Sequence, residues 1–249
     1  MKKPAEKLQE LVSRLQAACG DNLVSVVLYG SAAREEFHER YSDVNLLAVF
    51  RDLGTGQVAV VAPVIRWWTQ DEKFTPPLMM TEVELRESAD VFAIELLDIQ
   101  HMHKTLFGKD LVSEIQIPMN LHRVEVEHEL RTTLLRLRQH LLLNPDNQDE
   151  LQKVLAKSIG GVSTLLRHAL IAVGETSSPD RPRILEQAAA AFGFDVEAMK
   201  GVLALRSDHE RAANISQLYS AYMNAIGRVA HELDARAPKR HLQKISSTV

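Results

Sequence analysis

Tyr29 to Phe50 reads YGSAAREEFHERYSDVNLLAVF, and the organisation of the chain follows from this stretch. Just ahead of it, Leu23 to Tyr29 (LVSVVLY) is a short run rich in β-branched and apolar residues, the pattern of a largely buried strand. Gly30-Ser31 turns the chain and a short helical stretch follows. Ser42-Asp43-Val44-Asn45 then leads into a second apolar strand, Asn45 to Phe50. Strand, glycine turn, helix and strand in this order predict an α/β (α+β) domain in which the two strands are neighbours.

The same residues suit triphosphate handling. Glycine lets a backbone approach a phosphate closely, and Ser31 with the first N–H groups of the following helix would supply hydrogen bonds and positive dipole. Asp43 and Asn45 are two apart, so on a strand their side chains leave the same face. Paired oxygen ligands facing a phosphate-binding turn are what Mg²⁺-assisted phosphoryl or nucleotidyl transfer needs. Taken alone, the segment also reads as an ordinary strand–turn–helix, with Ser31 as a cap and Asp43 opening a strand.

Outward from this core the periodicity changes near residue 115. Before it, helical and strand patterns alternate. Leu8, Leu11, Val12 and Leu15 recur at helical spacing, with a stop at Gly20. Gly54 to Trp68 reads as a helix interrupted or bent at Pro63. Pro77 to Thr81 reads as an edge strand, and Thr81-Glu82-Val83-Glu84 as a capping box. Ala89 to Val112 has no clear period, and Gly108-Lys109-Asp110 marks a turn. After Pro118 the pattern is helical throughout, with apolar stripes at Leu130 to Leu141, Leu151 to Leu166 and Ile215 to Leu233, and shorter segments at Arg183 to Phe192 and Asp195 to Leu205. The expected domains are 1–114, α/β, and 115–249, a helical bundle.

Composition narrows the function. The 249 residues carry 29 Lys+Arg against 33 Asp+Glu, a net charge of −4, which argues against long nucleic acid as a partner. The one cysteine, Cys19, excludes an internal disulfide and a cysteine-rich zinc cage. The longest apolar run, Val58 to Ile65, has eight residues, and a membrane span needs about 20. Met1-Lys2-Lys3-Pro4 opens a polar helical pattern rather than a leader sequence, so the expected setting is a reducing cytoplasm.

Gly30, Ser31, Arg34, Ser42 and Asp43 resemble the G-S-x-x-R-G…S-D-x-D signature of the polymerase-β-type nucleotidyltransferase superfamily, which includes minimal nucleotidyltransferases and aminoglycoside adenylyltransferases. The order of elements extends the resemblance to about residue 112. It implies a small mixed sheet with helices, an appended helical bundle forming the other wall of a cleft, an NTP substrate and an acceptor the sequence does not name. By the same resemblance, Gly30 and Ser31 contact the β/γ-phosphates, Arg34 supports the turn, Ser42 belongs to the phosphate-binding set, and Asp43 ligates metal beside Asn45.

Three positions depart from the signature. Glu35 replaces the glycine after the arginine. Asn45 replaces the second aspartate, offering a neutral oxygen. The third carboxylate, due on the next strand, falls at about Leu78 in Pro76-Pro77-Leu78-Met79-Met80-Thr81. Asp71 and Glu82 flank that strand and are the candidates to reach inward. Losing two of three carboxylates removes about two unit charges, each contributing on the order of a few kcal/mol to a nearby cation at an effective dielectric near 20. The expectation is therefore weak Mg²⁺ binding, mostly through waters. The alternative function is a catalytically impaired nucleotide- or protein-binding module, or a self-associating one.

Other motifs have blander readings. His101 and His103 are spaced like two ligands on one strand face, but no third ligand accompanies them, and surface histidines are the simpler reading. Trp67-Trp68 could stack a base, though core and rim is the commoner role for aromatics ending an apolar helix. Arg123 and His128 form an R-x4-H spacing that resembles the ribonuclease motif of bacterial helical toxins, a further alternative for the helical half.

Overall fold

The structure, a computed structural model, describes residues 4–33, 44–207 and 214–236. The chain divides into two compact units, Met1–Pro118 and Met119–Val249.

In the first unit, β1 (Leu23–Tyr29), β2 (Asn45–Phe50), β3 (Leu78–Thr81) and β4 (His103–Gly108) form one sheet in the order β3-β2-β1-β4. β1 runs antiparallel to β2 and β4, and β3 runs parallel to β2. The two sequence-predicted strands are therefore neighbours, with Tyr29 opposite Asn45. Both central strands are covered on each face, which is why they read as continuous apolar runs rather than alternating ones. On one face α1 (Pro4–Cys19) supplies Leu8, Leu11 and Leu15, and α2 (Thr55–Arg66) supplies Val61, packed with Val26, Leu28, Leu46, Ala48 and Phe50. On the other face Val27, Leu47 and Val49 meet Leu85 of α3 (Glu82–Glu87), Leu96 and Ile99 of α4 (Ala93–His101), and Leu111, Val112 and Ile115.

The helix predicted over Gly54 to Trp68 forms as α2, which carries Pro63 inside it and runs on to Arg66. The irregularity comes after it, in a π-turn over Trp67–Asp71 closed by the Glu72 N–H donating to the Trp67 carbonyl. The wider turn puts Trp68 into the core, where its Nε1 donates to the Thr75 carbonyl. Thr75 in turn donates through Oγ1 to the Val44 carbonyl, fixing the entry of β3 beside the start of β2. The capping box at the start of α3 forms as expected: Thr81 Oγ1 accepts from Glu84 N, and Glu84 accepts from Thr81 N. The stretch without clear period resolves into α4 and β4.

The second unit comprises α5 (Met119–Leu143), α6 (Gln148–Ala172), α7 (Arg181–Phe192), α8 (Val196–Ser207) and α9 (Ile215–Ala235). α6 is central, packing against the other four. Tyr219 of α9 is buried and donates its hydroxyl to the Leu137 carbonyl, and Tyr222 shares a hydrogen bond with Ser158. Two fully buried histidines join α5 to α6: His122 Nε2 lies 2.8 Å from His168 Nδ1, and Arg167 donates to His168 Nε2. Arginine can only donate, so His168 Nε2 accepts and its proton sits on Nδ1, directed at His122.

Candidate functional site

The turn after β1 is built around Gly30. Its φ of +75° lies in the left-handed region, and its N–H donates to the Met102 carbonyl at the end of α4. A Cβ at this position would stand 3.3 Å from Asn45 Nδ2, so a side chain here would press on the Asn45 amide in addition to straining the backbone. The turn and the first residue of β2 are thus in close contact.

Tyr29 opposes Asn45 on β2 and His103 on β4. Directly opposed residues of antiparallel strands project to the same side, so Asn45, Tyr29 and His103 form one row across three strands. Leu78 opposes Leu47, two residues along from Asn45, and shares that face at 41% exposure. This is the adjacent-strand position expected to hold a third carboxylate, and it holds an exposed leucine.

The electrostatics of the row come from its flanks. Burial, and secondarily the negative charge of Glu95, push the Tyr29 phenol above its ordinary pKa, so it remains a hydrogen-bond donor at neutral pH. Glu95 is exposed on the first turn of α4. His103 contacts the Gln100 carbonyl through Nδ1 and Asp110 Oδ1 through Nε2 at 3.1 Å. The Ser113 hydroxyl, 2.7 Å from Asp110 Oδ2, holds the Asp110 carboxyl below its usual range, with smaller contributions from the Ser113 N–H and His103.

Among the predicted site residues, the structure brings Gly30 and Asn45 together and sets the Ser31 backbone in the same turn. Arg34, Glu35, Ser42 and Asp43 lie outside the described residues. Neither flanking acid stands beside Asn45. Glu82 follows Thr81, which opposes Phe50, about 17 Å along β2 at roughly 3.3 Å per residue, and it pairs with Arg86. Asp71 ends the π-turn whose tryptophans pack on the opposite face of the sheet.

His101 and His103 do not share a strand, because His101 ends α4 and His103 begins β4. No group of three or more His, Cys, Asp or Glu side chains that could hold a metal occurs among the described residues. Trp68 is fully buried and stacked on Phe74, while Trp67 lies under the Arg14 guanidinium at 4.0 Å: core and rim. On α5, Arg123 donates to the Leu233 carbonyl, and His128 is exposed about 140° around the helix from it. Tyr29, Glu95 and the His103–Asp110 pair were not among the predicted site residues. Tyr29, next to Gly30, and His103, through its spacing from His101, carried a sequence signal; Glu95 carried none.

A four-stranded mixed sheet with helices on both faces, a positive-φ glycine turn after a central strand and a helical region later in the chain match the nucleotidyltransferase-like fold. A solved structure with this fold is spectinomycin adenyltransferase AAD(9) from Enterococcus faecialis, determined with ATP and spectinomycin. It matches over 93% of this chain and 100% of its own, with a TM-score of 0.55 and 15% identity, a likeness that establishes the fold. No protein-family model and no curated protein matches the sequence. No helix among the described residues is long and apolar enough to cross a membrane.

Proposed function

We propose that this chain is a nucleotidyltransferase-like protein that binds an NTP with its triphosphate at the Gly30–Ser31 turn and transfers the nucleoside monophosphate to an acceptor. The observation that carries the reading is the contact between the left-handed Gly30 turn and Asn45, on a sheet of nucleotidyltransferase type. The transferase-like function belongs to the first unit, Met1–Pro118, which keeps Ile115 in its core, and the helical bundle is Met119–Val249. In the reaction an acceptor oxygen bonds to the α-phosphorus, the bond from that phosphorus to the bridging oxygen breaks, and pyrophosphate leaves with the electron pair. The turn amides, Ser31, Arg34 and Ser42 hold phosphates. Asp43 and the Asn45 amide oxygen are hard donors suited to Mg²⁺, which when bound offsets phosphate charge. With one neutral ligand in the pair, that cation is held weakly. The ATP and spectinomycin of the AAD(9) structure are consistent with an NTP and a small polar acceptor here. A reducing cytoplasm suits a chain whose one cysteine is free.

A second reading, a nucleotide- or protein-binding module without turnover, is favoured by Leu78 and Asn45 standing where acids would concentrate charge. Calorimetry with the four NTPs, with and without Mg²⁺ or Mn²⁺, tests the first step. Pyrophosphate release across a panel of hydroxyl-bearing acceptors tests the second. Binding with release supports the transferase, binding without release the module, and absence of NTP binding refutes both nucleotide readings.

A further inference from the structure

α2 shows solvent a different surface from α1, α3, α5 and α9. Each of those carries an ion pair between residues one turn apart, Arg14–Glu10, Arg86–Glu82, Arg131–Glu127 and Arg228–Glu232. From Thr55 to Ile65, TGQVAVVAPVI, α2 carries no charge at all, and its one side-chain amide, Gln57, is half-buried against Asn22. Val61 fills the core, with Val64 and Ile65 packed beside it. The opposite side stays in water: Gly56, Ala59, Val60 and Pro63, spaced as one helical face, are all exposed, Val60 at 44%. One charge of each sign brackets this face. Asp52 stands just before the helix, with one carboxylate oxygen accepting the N–H of Gly54, and Arg66 ends the helix two turns beyond Ala59 on the same side. Both are exposed, and neither makes an ion pair with another described residue. Ala59 lies midway between them.

We propose that this face pairs with the same face of a second copy of the chain, the two α2 helices lying antiparallel about a two-fold axis at Ala59. A two-fold interface must be self-complementary, each patch meeting its own image. Charge decides the direction. With Ala59 at the axis, Asp52 of each copy meets Arg66 of the other, so both bracketing charges gain an opposite partner. A parallel pair would set Asp52 beside Asp52 and Arg66 beside Arg66. The helix dipoles also oppose favourably in the antiparallel arrangement. Apolar groups fill the space between the charged ends, with Val60 and Pro63 packing across the axis and Gly56 and Ala59 letting the backbones approach. α2 covers the face of the sheet opposite Asn45, so the inference stands independently of the nucleotide reading.

The test is sedimentation equilibrium of the full chain over a concentration series, where wild type should show a monomer–dimer equilibrium. Ala59→Glu leaves the folded monomer intact, because the position is exposed and glutamate suits a helix. In the dimer it sets two carboxylates against each other at the axis, and the dissociation constant should rise by roughly tenfold or more. Arg66→Glu should also weaken the dimer, and Asp52→Lys/Arg66→Glu should restore it by exchanging both signs across the axis. Leu142→Glu, at an exposed apolar residue of α5, should leave the dimer unchanged. A thermal melt verifies the fold of each variant. A wild-type chain that stays monomeric throughout overturns the proposal. So does a dimer that Ala59→Glu leaves intact or that Leu142→Glu dissolves, either of which places the interface elsewhere. If Arg66→Glu weakens the dimer and the charge exchange does not restore it, the antiparallel pairing is overturned.

Discussion

Gly108→Ala should be among the most damaging single-methyl changes this chain can carry. Gly108 closes β4 opposite Ser25 with φ +76°, and a Cβ built there would stand 1.9 Å from the Val24 carbonyl oxygen and 2.9 Å from its carbon. Both neighbours are backbone of the central strand, so no side chain can swing away. The strand ends must part by more than an ångström. Two costs add. An alanine in the left-handed region costs about 1–2 kcal/mol. Parting the strands also strips the buried Ser25 hydroxyl of its bonds to the Phe107 and Lys109 carbonyls, the latter 2.7 Å, at about 1–3 kcal/mol. The expected loss is about 2–5 kcal/mol in equilibrium urea unfolding, with the slope unchanged. Ser25→Ala isolates the second cost and should lose less than Gly108→Ala. A Gly108→Ala chain within 1 kcal/mol of wild type would show that the close approach of β4 to Val24 is not real.

Thr81→Ala removes one half of the capping box and should cost about 1 kcal/mol by the same assay; no loss would mean α3 does not depend on its cap. Leu78→Asp places an acid at an exposed site on the Asn45 face, so Mn²⁺–ATP affinity should rise with little change in stability, and unchanged affinity would place the cation elsewhere. Burial pushes the Tyr219 phenol up to about 12. Because the folded value lies above the ordinary 10, the associated stability is complete below pH 10 and is lost as pH climbs towards 12. Spectrophotometric titration should therefore show tyrosines that ionise only with alkaline unfolding; ionisation of all four near pH 10 in the folded chain would contradict this.

Legibility in the sequence tracked how locally each feature is determined. β1 and β2 were readable because both are buried on two faces, and the capping box and edge-strand prolines spelled out β3 and α3. β4, HKTLFG, was not, because its half-buried side chains follow no clean alternation and a bulge beside Val26 and Val27 shifts its register. Pro63 sits inside α2 as read, but the π-turn that follows it and carries Trp68 into the core has no local signal. His122 sits in register with Val126 and Leu130, which marks it as buried, but nothing in the chain pointed across to His168. The tie between α4 and the Gly30 turn, made by the Met102 carbonyl, was equally hidden, because no local pattern encodes the path that brings the end of α4 to that turn.

The positions of the aromatic residues have a practical consequence. Both tryptophans lie in Met1–Pro118, one stacked on Phe74 and the other beneath Arg14, and none occurs in Met119–Val249. The fully buried Tyr219 and Tyr222 belong to the second unit. The chain therefore carries segregated natural chromophores: indole emission reports on the unit with the glycine turn, while far-ultraviolet dichroism is weighted towards the long helices of the other. Denaturation curves recorded by the two signals will superimpose if the units melt as one, and will separate if each melts at its own midpoint, with no label introduced.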